Sequence, residues 1–233
     1  MTTRARDKRD ARDLPNYPLT EAARWLGLVQ NTLRAWFVGQ NDPHRAGQQC
    51  FRSVLEPASS KPLSLSFWNL VECSVLSSIR NEHGVSMQKV RKALSHVAKE
   101  MGKPRPLIEQ VFMTDGVHLF VDRFGQLVSA SEHGQSTLRR LIEASLQRIE
   151  RDADGLAARL FPWSHRPTEP RVVSLDPRVS FGRPVLAATS IPVESILSRF
   201  RAGEGIEELA TDYQVSEASI QDLVRWALEP AAA

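Results

Sequence analysis

Apolar residues fall at helical spacing soon after the start of the chain. Leu19, Ala22, Ala23 and Leu26 lie three and four apart, the period of one helix face. Thr20 reads as the N-cap, and Glu21 sits in the first turn, where the helix dipole favours negative charge. Gly27 can end this helix in the left-handed region. A second helix is predicted from about Asn31, with Leu33, Trp36 and Phe37 pointing inward. Clusters of Gly, Pro, Asn and Ser from Gly39 to Leu65 predict a loop or small β-wing around "QQCFRSVL". Helical periodicity resumes through Phe67, Leu70, Val71, Val75 and Ile79, and again through Met87, Val90, Leu94, Val97 and Met101.

"GKPRP", Gly102 to Pro106, breaks that helix and reads as a linker. Beyond it, "VFMTDGVHLFVDRFGQLVSA" carries Asp115-Gly116 between β-prone runs and a second turn signal at Arg123-Phe124-Gly125. The pattern predicts a small antiparallel meander. Leu138, Leu141, Ile142, Leu146, Ile149, Leu156 and Leu160 then form one stripe, predicting a long amphipathic helix from about Ser136 to Phe161. Such a helix serves as a bridge between domains, a dimer seam or an ordinary core helix. A second Pro-rich linker, "PWSHRPTEPR", follows. The remainder opens with two short β-like pieces around Asp176-Pro177 and Gly182, then three compact helices. The first carries Val193, Ile196, Leu197 and Phe200 and stops at Gly203. The second carries Ile206, Leu209, Ala210 and Tyr213. The third, capped by Ser216, carries Ile220, Leu223, Val224, Ala227 and Leu228.

The expected fold is mainly α (α+β): a winged helix-turn-helix over 14–102, a β-meander and long helix over 103–165, and a three-helix bundle over 170–230.

Composition narrows the classes. No apolar run approaches the roughly 18 residues of a membrane span, and the basic, polar start is not a secretory signal. A cytoplasmic protein is expected. Two cysteines, Cys50 and Cys73, make neither a disulfide framework nor a metal-ligand spacing. A formal net charge of +3 permits nucleic-acid binding without demanding it. The first residues mix Arg4, Arg6, Lys8, Arg9 and Arg12 with Asp7, Asp10 and Asp13. That mixture reads as a mobile solvated arm, with an arm along a phosphate backbone as the alternative.

Two pieces, "LTEAARWLGLVQNTLRAWF" and "LSFWNLVECSVLSSIR", in this order and at this separation, resemble the winged helix-turn-helix of MerR-like regulators. Val29 stands where such domains often place a small polar cap. Further on, "DPRVSFGRPVLAATSIPVESILSRFRAGEGIEELATDYQVSEASI" is similar to a small domain of unknown function that recurs in bacterial VapB-type antitoxins. Ala188-Thr189-Ser190 replaces the Gly-Thr-Arg often seen there. The whole arrangement resembles mycobacterial-type VapB antitoxins, which pair with PIN-like ribonuclease toxins. The resemblance implies operator DNA and such a toxin as partners.

In a helix-turn-helix, side chains near the start of the second helix reach base edges. Here these are Gln30, Asn31, Thr32 and Arg34, with Gln40 and Asn41 just beyond. Arg pairs with guanine and Asn or Gln with adenine. Arg24, Arg45, Arg52 and Lys61 are the expected phosphate contacts. The helix bearing Lys89, Arg91, Lys92 and Lys99 either extends that footprint or is a solvated face. The helix start at Ser216, Glu217, Ser219 and Gln221 is poorer in positive charge, which favours protein binding or dimerisation for the C-terminal part. Against the carboxylate cluster of a PIN-like toxin, the candidate charge-assisted partners are Arg178, Arg183, Arg199 and Arg201. A homodimer is expected, because paired recognition helices read a palindrome.

Catalytic parts are lacking in the pattern. The six histidines, at 44, 83, 96, 118, 133 and 165, are scattered with no ligand spacing. No Gly-rich phosphate loop or nucleophile elbow is present, and the five tryptophans fit core or interface roles. The expectation is a non-enzyme without metal or cofactor: an antitoxin that binds operator DNA and neutralises its toxin. The alternative is a stand-alone MerR-like regulator with a C-terminal ligand-sensing or dimerisation domain.

Overall fold

The computed structural model describes residues 10–41, 49–80, 87–128, 132–163 and 169–228. From Asp10 onward the mixed-charge start of the chain is docked, not a solvated arm; Arg4, Arg6, Asp7, Lys8 and Arg9 lie outside the described residues. A 3-10 turn, Ala11–Asp13, is capped by Asp10, whose carboxylate accepts from the Arg12 amide at 2.9 Å. Arg12 also bonds Asp152 (2.5 Å) and the Ala157 carbonyl (3.2 Å), and its guanidinium lies 5.1 Å from the Trp68 ring.

Strand β1 (Tyr17–Pro18) leads directly into helix α1 (Leu19–Trp25), and after a four-residue turn α2 runs over Gln30–Val38. Thr20 does not cap α1; Pro18 holds that position and no side chain caps it. Gly27 takes the expected left-handed conformation, φ +61, so the Leu28 amide can reach back to the Ala23 carbonyl at 2.9 Å. Leu33, Trp36 and Phe37 are buried as the spacing predicts, each stabilising by about 1.5–3 kcal/mol through removal from water. Where the sequence suggests a loop or small β-wing, β2 (Gln40–Asn41) pairs antiparallel with β3 (Gln49–Phe51). Strands β4 (Ser59–Ser60) and β5 (Leu63–Leu65) then join β1 in an antiparallel sheet ordered β1-β5-β4. Helices α3 (Phe67–Arg80) and α4 (Met87–Met101) follow at the expected places.

The "GKPRP" segment ends α4 but does not run free. Arg105 reaches back to the buried Glu72 at 2.8 and 2.9 Å and to Asp13 at 2.7 Å, while Pro106, Leu107 and Ile108 are buried.

The meander expected next is absent. A π-helical turn, Phe112–Gly116, opens helix α5 (Val117–Val128). Val117, Phe120, Val121 and Phe124 are all buried; their spacing of three and four is a helix stripe, and packing against α4 overrides the β-propensity of the individual residues. The long helix is corrected too. Helix α6 (Glu132–Leu146) ends early, and strands β6 (Ile149–Arg151) and β7 (Ala157–Leu160) pair as a hairpin. The turn is fixed by Asp152, whose Oδ1 accepts from the amides of Asp154 (3.1 Å) and Leu156 (2.9 Å). The bridge and dimer-seam roles that rested on the helix length lose their support.

One core joins residues from Tyr17 to Leu175, taking in α1–α6 and the β6–β7 hairpin. A second core lies within the C-terminal part. There β8 (Val173–Ser174) pairs with β9 (Val185–Leu186), and helices α7 (Val193–Arg201), α8 (Ile206–Tyr213) and α9 (Glu217–Leu228) pack on one another. Ser216 caps α9 by accepting from the Ser219 amide at 3.1 Å. Leu160 and Leu175, both of the first core, exchange backbone hydrogen bonds of 2.9 and 2.8 Å, and Trp226 packs against both cores.

Candidate nucleic-acid interface

The inward residues of α2 fix which side faces out. With Leu33, Trp36 and Phe37 in the core, Gln30, Asn31 and Arg34 are exposed and Thr32 is half-buried. Gln30 and Arg34 are one turn apart, as are Asn31 and Arg34, so the three form a single surface. None of their side chains has a hydrogen bond or ion pair among the described residues. Val29 precedes the helix with no side-chain cap, which leaves the first-turn amides without an intrahelical partner. Three groups capable of base-edge readout therefore sit beside open backbone donors that suit a phosphate.

The expected phosphate contacts are spread more widely. Arg24 is exposed in the last turn of α1, and its carbonyl accepts from the Gly27 amide at 3.3 Å, which places it beside the turn. Arg52 is exposed just after β3, and Lys61 in the β4–β5 turn. Like Arg24, they have no ion-pair partner among the described residues. Gln40 and Asn41 belong to the backbone of β2. Arg45 lies outside the described residues. On α4, Lys92 and Lys99 are exposed and Lys89 and Arg91 half-buried.

The C-terminal arginines have a different environment. Arg178 makes a two-pronged pair with Asp176, at 3.0 and 2.9 Å. Arg199 bonds both oxygens of Glu204 and also Asp212, and lies 5.2 Å from the Tyr213 ring. Arg201 pairs with Glu194 at 2.8 Å. Arg183 alone of the four is exposed without a partner among the described residues. Asp176 is itself buried. Burial would raise its pKa, but hydrogen bonds from the Arg178 side chain and backbone and the charges of Arg178 and Arg159 outweigh this and hold it below the usual carboxylate range.

Comparison with known proteins places both ends of the chain. Residues 15–94 match the family described as "Putative DNA-binding HTH domain", and residues 173–227 match "Protein of unknown function (DUF433)". Across its length the chain is 31% identical over 229 residues to the Mycobacterium tuberculosis protein named "Putative antitoxin VapB45", spanning 90% of this chain and 92% of that protein. The chain belongs to the VapB45 antitoxin family. A crystal structure of Rv2018 from M. tuberculosis has the same overall arrangement, with a TM-score of 0.65 at 27% identity over 91% of this chain and 98% of that one. In this member of the VapB45 family the helix-turn-helix match encloses α1, α2 and the exposed Gln30–Arg34 surface. No described helix is long and apolar enough to cross a membrane.

Sequence reasoning named neither Tyr17, which lies against Gly182 of the C-terminal part, nor the exposed Phe181, and it placed Arg12 in a solvated arm although it bonds Asp152 and the Ala157 carbonyl. Tyr17 carried a weak signal, an aromatic just before the first helix. Phe181 carried none, because a lone Phe in a β-like piece reads as a core residue.

Proposed function

We propose that this protein is an antitoxin of a type II toxin-antitoxin system, acting from the cytoplasm. Its MerR-like winged helix-turn-helix binds operator DNA for autoregulation, and its C-terminal domain neutralises a PIN-like ribonuclease toxin by direct contact. The observation that carries the reading is the exposed set Gln30, Asn31 and Arg34 on α2, free of internal partners, in a chain of the VapB45 family. Arg34 suits a guanine edge, and Asn31 or Gln30 an adenine edge, each for about 1–3 kcal/mol of discrimination. Two copies reading a palindrome place two such helices one DNA turn apart. Toxin held at one end then changes DNA affinity at the other by linkage. On the toxin side Arg183 is the arginine available for a carboxylate cluster; Arg178, Arg199 and Arg201 reach one only by giving up internal pairs.

Fluorescence anisotropy with the protein's own upstream DNA and a scrambled duplex, at two salt concentrations, tests the reading. Preference for the upstream DNA that is lost in Arg34→Ala is expected. Equal binding to both duplexes, or none, defeats it.

A further inference from the structure

Phe181 is 95% exposed, whereas every other phenylalanine whose exposure is described is buried or half-buried. It sits at the tip of a short loop in left-handed backbone, φ 56 and ψ 32, next to Ser180 at φ 47. L-residues avoid that region, so the loop holds a bulky aromatic out in water by a backbone that is itself unfavourable. The loop is nonetheless well fixed. The Val179 amide donates to the Asp176 carbonyl at 2.9 Å, the Gly182 amide to Val179 at 2.9 Å and the Arg183 amide to Ser180 at 3.1 Å. Arg178, 68% exposed, and the exposed Arg183 flank Phe181 in the sequence of the loop. Their acidic neighbour Asp176 is buried and neutralised by Arg178 and Arg159. The tip is therefore one rigid aromatic between two cations, a composition typical of interface anchors.

The same chain carries a cleft of opposite character. It encloses about 880 Å³ between the Asp10–Pro15 segment, the stretch after β3 and the Arg105 strut. Four carboxylates line it (Asp10, Asp13, Glu56 and Glu72) against one guanidinium, that of Arg105, with Leu14 and Pro15 among its apolar members. Asp10, Asp13 and Glu72 have arginine partners. Glu56 is exposed with no side-chain partner among the described residues.

We propose that the Arg178–Arg183 loop of one copy docks in this cleft of a second copy, and reciprocally, with Phe181 against Leu14 and Pro15 and Arg183 paired to Glu56. The unpaired carboxylate of the cleft, Glu56, matches the unpaired guanidinium of the loop, Arg183, and the cleft has room for the ring and both guanidinium groups. The surface serves the dimer of the functional reading above and rests on that part of it; because it uses Arg183, this contact and a toxin's carboxylate cluster compete for that residue. It holds the strand leading into α1 of one copy to the C-terminal domain of the other.

Sedimentation velocity of the full chain at micromolar concentration is the test. Phe181→Gly removes the anchor while its backbone adopts the left-handed conformation freely, so the variant should stay folded, with a circular-dichroism spectrum like the wild type's. A wild-type dimer whose dissociation constant rises about 30-fold or more in Phe181→Gly is expected. Arg183→Glu and Glu56→Lys should each be monomeric alone, and an equimolar mixture should dimerise, because one contact of the mixed pair is native and the other charge-swapped. A monomeric wild type overturns the proposal together with the dimeric reading. A dimer indifferent to Phe181→Gly, or a mixture that stays monomeric, overturns this surface and leaves the dimer standing.

Discussion

The hydroxyl of Tyr17 occupies the space that a β-carbon on residue 182 would need. Gly182, at φ +78, belongs to the C-terminal domain, whereas Tyr17 opens the strand that leads into α1. The Tyr17 ring also meets Trp25 edge-on, with centroids 5.9 Å apart. The loop of one domain thus presses on the first helix of the other.

Gly182→Ala should lower the unfolding free energy by about 2–4 kcal/mol, from left-handed strain and overlap with the tyrosine oxygen together. In a Tyr17→Phe background the hydroxyl overlap goes while the ring Cζ stays 3.1 Å from the added β-carbon, so the cost should fall toward the backbone term of about 1–2 kcal/mol. Urea unfolding of the four proteins in that cycle measures both. An unchanged cost in the Tyr17→Phe background would show that the contact does not set the junction.

Arg12 joins more of the chain than any other described residue near the N-terminus, through Asp10, Asp152, the Ala157 carbonyl and the Trp68 ring. With its side chain 16% exposed, removing it leaves Asp152 under-partnered. Arg12→Ala should cost about 2–3 kcal/mol, a partly screened version of a broken buried pair. Arg12→Lys should recover little, since a single ammonium cannot serve the fork and the ring together. Thermal melts of the two variants should therefore nearly coincide; a lysine variant close to wild type would count against the geometry.

The helix-turn-helix and the C-terminal bundle were legible because their information is local. Leu33, Trp36 and Phe37 mark a face by spacing, Gly27 marks an end, and Ser216 marks a start. The middle was misread where two local signals competed. Asp115-Gly116 looked like a hairpin turn, but the Val117-to-Phe124 stripe wins because α4 and α6 are there to cover it. Leu156 and Leu160 continued the periodicity of α6 by coincidence, masking the turn at Asp152 and Gly155. The exposed polar residues of α2 could be picked from spacing, whereas the pairing of Arg199 with Glu204 and Asp212 depends on how helices pack. No periodicity reports Phe181 in water or the contact of Gly182 with Tyr17.

Acid should loosen the junctions before the rest. Asp10 is held low chiefly by the Arg12 side-chain hydrogen bond. For Asp152, burial raises the pKa, but bonds from the Leu156 amide and Arg12 outweigh it, and Asp176 is also lowered. A carboxyl whose folded pKa lies below its unfolded value of 3.8 contributes stability that is complete above that value. That stability is lost as pH falls through the folded pKa. Urea midpoints should be level from about pH 7 to 5 and drop below about pH 4. Asp176→Asn should start lower at neutral pH and fall less steeply in acid. An acid slope as steep as that of the wild type would remove Asp176 from the account.

Base readers and phosphate contacts should separate under salt. Asn31 lies on the exposed surface of α2 with Arg34, whereas Lys61 sits in the β4–β5 turn, outside that surface. If Asn31 pairs with an adenine edge, Asn31→Ala should weaken binding to the upstream DNA by about 1–3 kcal/mol and leave the scrambled duplex nearly unaffected. Lys61→Ala should weaken both duplexes alike and reduce the slope of log affinity against log salt by about 1, since one fewer counterion is displaced. Anisotropy titrations of both variants at several salt concentrations distinguish the two effects. A salt-slope change in Asn31→Ala, or a sequence-dependent loss in Lys61→Ala, would reverse the assignment, because a neutral amide releases no counterion and a lone ammonium at a phosphate carries no base information.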